Sequence, residues 1–266
     1  MVQPVSTKSL RLKIHGANLF WGNYALSEFN GDLRVATTED PPWTTDPAAT
    51  SSSRVTVLRQ AGNKLNPVGT VGGLGQGERI FGVRFMGERG YVVTFRQIDP
   101  LYTLDLSDPT APKVVGELKI PGYSAYLHPV GENLLLGIGR ENQNVKASLF
   151  DVSNMAAPRE VTNLQFANGT TSVENEPHAF LFWAPKKLVV MPLQTYQPVF
   201  SGSVGVHVEP NGLSEVGRIT HKIEARPEFA PVERSLVIGD KLYSLSYLGL
   251  STSSVDTLGP LAYTAF

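Results

Sequence analysis

Gly87-Glu88-Arg89-Gly90-Tyr91-Val92-Val93-Thr94-Phe95 decides how this chain is read: a polar, glycine-bearing turn runs into a short apolar stretch rich in β-branched residues. The flanks extend the pattern. Ile80-Phe81-Gly82-Val83-Arg84-Phe85 precedes the turn. Leu101-Tyr102-Thr103-Leu104-Asp105-Leu106 follows it and closes on Ser107-Asp108-Pro109, and Lys113-Val114-Val115-Gly116-Glu117-Leu118 leads onward. Val, Tyr, Phe and Thr suit a pleated, half-buried surface, while Gly, Asp and Pro break it at short intervals, so these are four strands of an antiparallel meander. No window of useful length carries a helical period, and helix should be nearly absent.

The unit recurs. Asn30-Gly31-Asp32 stands before Leu33-Arg34-Val35-Ala36-Thr37, Gly131-Glu132-Asn133 before Leu134-Leu135-Leu136-Gly137-Ile138, and Gly239-Asp240-Lys241 before Leu242-Tyr243-Ser244-Leu245. A degenerate copy is Ala184-Pro185-Lys186-Lys187 before Leu188-Val189-Val190-Met191. The spacing of roughly 45 to 55 residues is close to the periods of propeller blades. A lone four-stranded sheet leaves both faces wet, whereas sheets stacked radially bury their faces against one another and keep only short edges. The expectation is therefore an all-β chain, a β-propeller of four-stranded antiparallel blades. About five blades are expected, forming one domain over 1–266 at roughly 16–71, 72–118, 119–164, 165–219 and 220–266. Ser9-Leu10-Arg11-Leu12-Lys13-Ile14-His15 is a spare strand that either closes the ring or is left from a preceding blade of a larger propeller. The second alternative is favoured, because the last blade is expected to hold its own outer strand near Val255-Asp256-Thr257-Leu258.

With 41% hydrophobic and 18% charged residues, the 266-residue chain has ample material for a core. The net charge of -1 leaves no basic footprint for nucleic acid. The absence of cysteine removes disulfides, thiolate metal sites and a cysteine nucleophile. No stretch approaches a membrane span, and the first dozen residues lack the apolar core of a signal peptide, so an exported protein would carry its signal upstream.

Two blocks are more specific than a generic strand pattern: Gly77-Glu78-Arg79-Ile80-Phe81-Gly82-Val83-Arg84-Phe85-Met86-Gly87 with the run from Tyr91 to Leu101, and Asp105-Leu106-Ser107-Asp108-Pro109 continuing through Gly122-Tyr123-Ser124-Ala125-Tyr126-Leu127-His128-Pro129. Together they resemble the secreted β-propeller domain family of bacteria and archaea, a distant relative of the WD-repeat propellers. Asp32-Leu33-Arg34-Val35-Ala36-Thr37-Thr38, His178-Ala179-Phe180-Leu181-Phe182-Trp183 and Leu242-Tyr243-Ser244-Leu245-Ser246 fit the same family. The likeness runs from about residue 18 to the end. It implies an extracytoplasmic location and the C-terminal portion of a larger exported protein. It transfers no catalytic residue.

The candidate site residues are few. His178 aligns with Phe81, Ala125 and Glu233 of the other units, at a position expected to face a polar funnel. Glu176, His178, Glu233, His128 and Arg84 are the candidates for funnel or rim binding. Glu174, Glu176 and His178 have a spacing that could offer oxygen and imidazole ligands to a cation, but an ordinary solvated rim is the favoured reading and the metal is left unknown. Gln194-Thr195-Tyr196-Gln197 opens a stretch to Ser203, rich in Thr, Gln, Pro and Ser, that is expected to be an inserted loop for contact with a partner. Asp105, Asp108 and Asp151 read as turn residues bonding nearby amides, and Arg96 with Asp99 as a local ion pair. Trp21, Trp43, Trp183, Tyr24 and Tyr123 could form a sugar platform, but aromatics in blades usually belong to the core.

No Gly-x-Ser-x-Gly elbow is present, and the Gly72–Gly77 run precedes a strand, which denies an anion any helix terminus. No cofactor is expected. The leading expectation is a non-catalytic extracytoplasmic module that binds a protein partner or scaffolds one, with a subunit of an envelope or surface assembly as a further form of that role. Its rivals are a hydrolase or lyase using Glu176, His178 and Glu233 as acid and base, and a binder of a small ligand or cation.

Overall fold

The computed structural model describes residues 17–18, 24–40, 50–95, 99–221 and 230–266, which form five antiparallel sheets. The first comprises Ala17–Asn18, Leu26–Phe29, Asp32–Glu39, Ser52–Ala61 and Lys64–Leu74, with Asp32–Glu39 pairing both short leading strands. The second comprises Arg79–Met86, Arg89–Phe95, Asp99–Asp105 and Lys113–Ile120. Tyr123–Pro129, Leu134–Glu141, Asn144–Asp151 and Arg159–Phe166 make the third. In the fourth, Gly169–Thr170 and Leu181–Trp183 share one neighbour, Leu188–Tyr196, ahead of Val199–Glu209 and Gly212–Ile219. Arg234–Ile238, Lys241–Ser246, Gly249–Ser254 and Pro260–Ala265 make the fifth. Helix among the described residues is limited to three short 3-10 turns. The chain divides into two compact units, one reaching Lys119 and the other running from Ile120 to Phe266.

Within each unit, consecutive sheets bury their apolar faces on one another. Ala36, Val55, Val71 and Leu74 of the first sheet pack against Ile80, Val83, Val92, Tyr102, Leu104 and Leu106. Leu136, Ile138, Val145, Ala147 and Leu149 of the third meet Val189, Met191, Val204 and Val206 of the fourth. Leu188, Val190 and Ile219 of the fourth meet Leu242, Val255 and Leu258 of the fifth. Each fully buried Val or Leu stabilises by roughly 1.5–3 kcal/mol, so stacking supplies what a single meander lacks. The central strands accordingly read as continuous apolar runs, as in Leu188–Leu193 of the strand Leu188–Tyr196.

Turn chemistry explains why the repeat was visible. Asp105 Oδ1 accepts from the Ser107 amide (3.0 Å), and Asp108 Oδ1 accepts from the Thr110 amide (2.9 Å). One sheet on, Asp151 Oδ1 accepts from the Ser153 amide (2.9 Å) and Asn154 Oδ1 from the Ala156 amide (3.1 Å). Asp105 and Asp151 end their strands, and the Ser107 and Thr110 hydroxyls and amides hold Asp105 and Asp108 below the ordinary carboxyl range. A second recurring device is a bulge in the last strand. One extra residue (Val68, Val161, Val216 and Leu261 in the first, third, fourth and fifth sheets) interrupts the pairing. Such bulges bend and twist an outer strand, which blunts its edge against further pairing.

Three local expectations are corrected. The run His178–Phe182, which has the sequence place of the strand that precedes the turn in the other units, is not one strand. Pro177–Ala179 is a 3-10 turn, because Pro177 withholds a ladder donor and the Glu176 side chain caps the turn by accepting from the His178 amide; only Leu181–Trp183 pairs. The expected loop from Gln194 to Ser203 is the end of a long hairpin, with Tyr196 paired to Val199 across Gln197–Pro198. Gln194, Thr195 and Tyr196 are thus strand residues, their polarity reflecting the exposed end of a hairpin. The outer strand of the last sheet is Pro260–Ala265, and Val255–Thr257 forms the turn before it. The strand expected over 9–15, Trp21, Trp43 and Arg96 lie outside the described residues.

Candidate functional site

Two of the sequence-derived funnel candidates and one residue of the expected partner loop meet in one cavity. Glu176 and Glu233 line a space of about 420 Å³ together with Thr170, Ser172, Gln194 and an apolar wall of Pro192, Leu193, Pro231 and Val232. Each side chain arrives for a local reason. Thr170 ends a two-residue strand paired to Gln194, and Ser172 begins a 3-10 turn capped by Thr171, whose Oγ1 accepts from the Val173 amide (3.3 Å). The Glu176 cap fixes the next turn. Glu233 is held by its backbone, whose amide donates to Leu245 O (2.8 Å), while its carboxylate makes no hydrogen bond among the described residues.

Electrostatics favour a negative mouth. Glu176 Oε1 accepts from the His178 amide (3.0 Å) and lies 2.7 Å from His178 Nδ1. Those contacts keep its carboxyl below the ordinary range, with Arg234 a weaker contributor. His178 itself is exposed beside the cavity. Glu174 does not join this pair. It turns the other way, accepts from Tyr123 Oη (2.9 Å), and is raised by burial against the opposing pull of Tyr123 and Arg140. Among the described residues no three His, Asp or Glu side chains are grouped to hold a metal ion.

The other candidates lie elsewhere. His128 is half-buried, with Nδ1 2.9 Å from Tyr126 Oη and its ring 4.9 Å from that of Phe180. Arg84 belongs to the first unit, where its guanidinium lies 4.3 Å over the Tyr24 ring. Phe81 and Ala125, aligned with His178 in the sequence, are the extra residues of bulges in the leading strands of the second and third sheets. Thr195 Oγ1 donates to Pro198 O (2.5 Å) inside the hairpin end. Tyr196 and Gln197 line a second cavity with Arg140, Gln143, Asn168 and Gly169, a grouping that the sequence did not suggest because its members lie on different turns.

His221 was also missed. It is wholly buried, with Nδ1 2.6 Å from Ser246 Oγ and Nε2 2.9 Å from Ser251 Oγ. A neutral imidazole has one donor and one acceptor, and two hydroxyls satisfy both. This is a serine–histidine contact without solvent access, unsuited to nucleophilic attack. Burial lowers the His221 pKa, so the folded state resists a proton that the unfolded chain accepts near its ordinary value of about 6.5. Stability from this group is therefore complete above about pH 6.5 and is lost as pH falls through that value toward the lower folded pKa. Urea midpoints at pH 7.5 and 5.5 should fall further for the wild type than for His221→Gln; equal falls would exclude this cause.

Among the described residues no helix is long and apolar enough to cross a membrane. An uncharacterized protein of Archaeoglobus fulgidus is 43% identical over 202 residues, covering 74% of this chain and 31% of the relative. An uncharacterized protein of Methanocaldococcus jannaschii is 39% identical over 225 residues, covering 84% of this chain and 33% of its own. The chain thus spans about a third of the length of these curated relatives. Among solved structures, a Lactobacillus plantarum protein superposes with a TM-score of 0.55 at 12% identity, covering 88% of this chain and 68% of its own. The periplasmic gluconolactonase PpgL of Pseudomonas aeruginosa gives 0.51, also at 12% identity, covering 88% and 69%. Likeness at that identity concerns the fold alone. The beta propeller domain model matches residues 11–258, and with five meandering antiparallel sheets among the described residues the chain belongs to the beta propeller domain family.

Proposed function

We propose that this chain is a non-catalytic extracytoplasmic binding module that seats a basic side chain of a protein partner in the cavity between Glu176 and Glu233. The observation that carries this reading is the pairing of two carboxylate residues with the apolar wall of Pro192, Leu193, Pro231 and Val232. A Lys or Arg side chain has the matching anatomy, an aliphatic stem for the wall and a cationic head for the carboxylates. The extracytoplasmic assignment rests on the resemblance to secreted propellers.

The test compares a Lys- and Arg-rich peptide with a Glu-rich peptide of equal length by calorimetry at low and high salt. The basic peptide should bind the wild type, salt should weaken it, and Glu176→Gln with Glu233→Gln should weaken it roughly tenfold or more, about 1.4 kcal/mol. Binding that ignores either the peptide's charge or the double substitution would defeat the proposal. Turnover on a panel of lactones and glycosides, lost in the same double variant, would establish the acid–base alternative instead.

A further inference from the structure

We infer that the cavity lined by Arg140, Gln143, Asn168, Gly169, Tyr196 and Gln197 is a binding subsite for an acidic sugar, a hexuronate unit. It has a volume of about 420 Å³ and stands apart from the two carboxylates of the proposed protein-binding pocket. Its backbone is stitched together before any ligand arrives. The Gly169 amide donates to Gln143 O (3.1 Å), the Tyr196 amide to Asn168 O (3.0 Å) and the Asn168 amide to Asn144 Oδ1 (3.2 Å). Arg140 is also pinned, its Nη2 donating to Gly169 O (2.8 Å).

The side chains, by contrast, are available. The side-chain amides of Gln143, Asn168 and Gln197 make no hydrogen bonds among the described residues, and Tyr196 is 63% exposed at the hairpin end. Arg140 Nε is buried without a hydrogen bond and lies 4.0 Å from Glu174 Oε1, whose partner oxygen is engaged by Tyr123. An amide offers donors and acceptors together, which matches hydroxyls that also do both. A phenol ring offers an apolar face for the C–H face of a pyranose while its polar edge stays wet. The part of the Arg140 guanidinium not held by Gly169 O and Glu174 receives a carboxylate through a charge-assisted hydrogen bond. One cation among three neutral amides suits a single carboxylate on a polyol better than a phosphate.

Titrating the intact, isotope-labelled chain with sodium glucuronate and, separately, with glucose tests this by amide NMR shifts. Saturable shifts are expected at Asn168 and Gly169, with glucuronate binding at least roughly tenfold more tightly than glucose. Tyr196→Ala, at an exposed position that should leave folding intact, should weaken both sugars roughly tenfold. Arg140→Gln should bring glucuronate down to the glucose level. Should that variant fail to fold, the wild-type comparison of the two sugars decides the role of the charge. Equal affinity for both, shifts elsewhere on the chain, or indifference to Tyr196→Ala would overturn the inference.

Discussion

Gly139→Ala is expected to destabilise the third sheet by about 3 kcal/mol, the upper end of overpacking costs. Gly139 pairs with Ser124 in the leading strand, where the register shifts before Tyr126. A Cβ there would fall on the carbonyl oxygen of Tyr123 and within 2.8 Å of Ser124 Cα. Both obstacles are backbone, so no rotamer change relieves them. The entropy gained by restricting the unfolded chain, about 0.4–1 kcal/mol, opposes this cost but does not match it. Gly131→Ala is the control, since its added Cβ would meet only the Leu134 side chain at ordinary contact, 3.7 Å away. Urea unfolding should separate the two variants clearly; equal midpoints would mean that the leading strand moves aside at little cost.

The second large effect concerns a buried charge. Lys146 has a side chain only 3% exposed, and its Nζ lies 2.9 Å from Glu141 Oε2 and 3.5 Å from Glu160 Oε1. Nζ also donates to Pro121 O at 3.0 Å. Neutralising both partners with Glu141→Gln and Glu160→Gln should cost about 3 kcal/mol, because an ammonium shut away from water loses its compensation. Adding Lys146→Met to that pair should restore stability to within about 1 kcal/mol of the wild type, since an apolar side chain of similar length removes the need for partners. Chemical denaturation of the wild type, double and triple variants completes the cycle. A triple variant no better than the double would show that Lys146 contributes through packing of its stem and not through its charge.

The fold was legible because its determinants are local and repeated. Polar turns before apolar runs, and the Asp105–Pro109 turn echoed from Asp151, place strand ends within a few residues of the right position whatever the neighbours do. Where the reading failed, a local signal was outvoted. Phe180–Trp183 looks like the end of a strand that begins at His178, yet Pro177 and the Glu176 cap turn the chain first. Val255–Leu258 looks like an outer strand, yet it is the turn that buries Val255 and Leu258 against the fourth sheet. The polar stretch from Gln194 has the composition of a loop, but cross-strand pairing carries it to Tyr196 as hairpin.

The site divides in the same way. Glu233 could be singled out by aligning repeats, since equivalent positions in successive blades occupy equivalent places, and Glu176 by its spacing to Glu174 and His178. Their shared cavity could not be, and neither could the cage of Ser246 and Ser251 around His221 or the grouping of Arg140 with Gln143, Asn168 and Tyr196. What the sequence determined by itself was the architecture, because hydrophobic alternation and turn residues act over a few positions and say the same thing in every unit. What only the tertiary structure decided was which side chains converge. Convergence depends on strand register and bulges, and a shift of one residue there sends a side chain to the opposite face of its sheet.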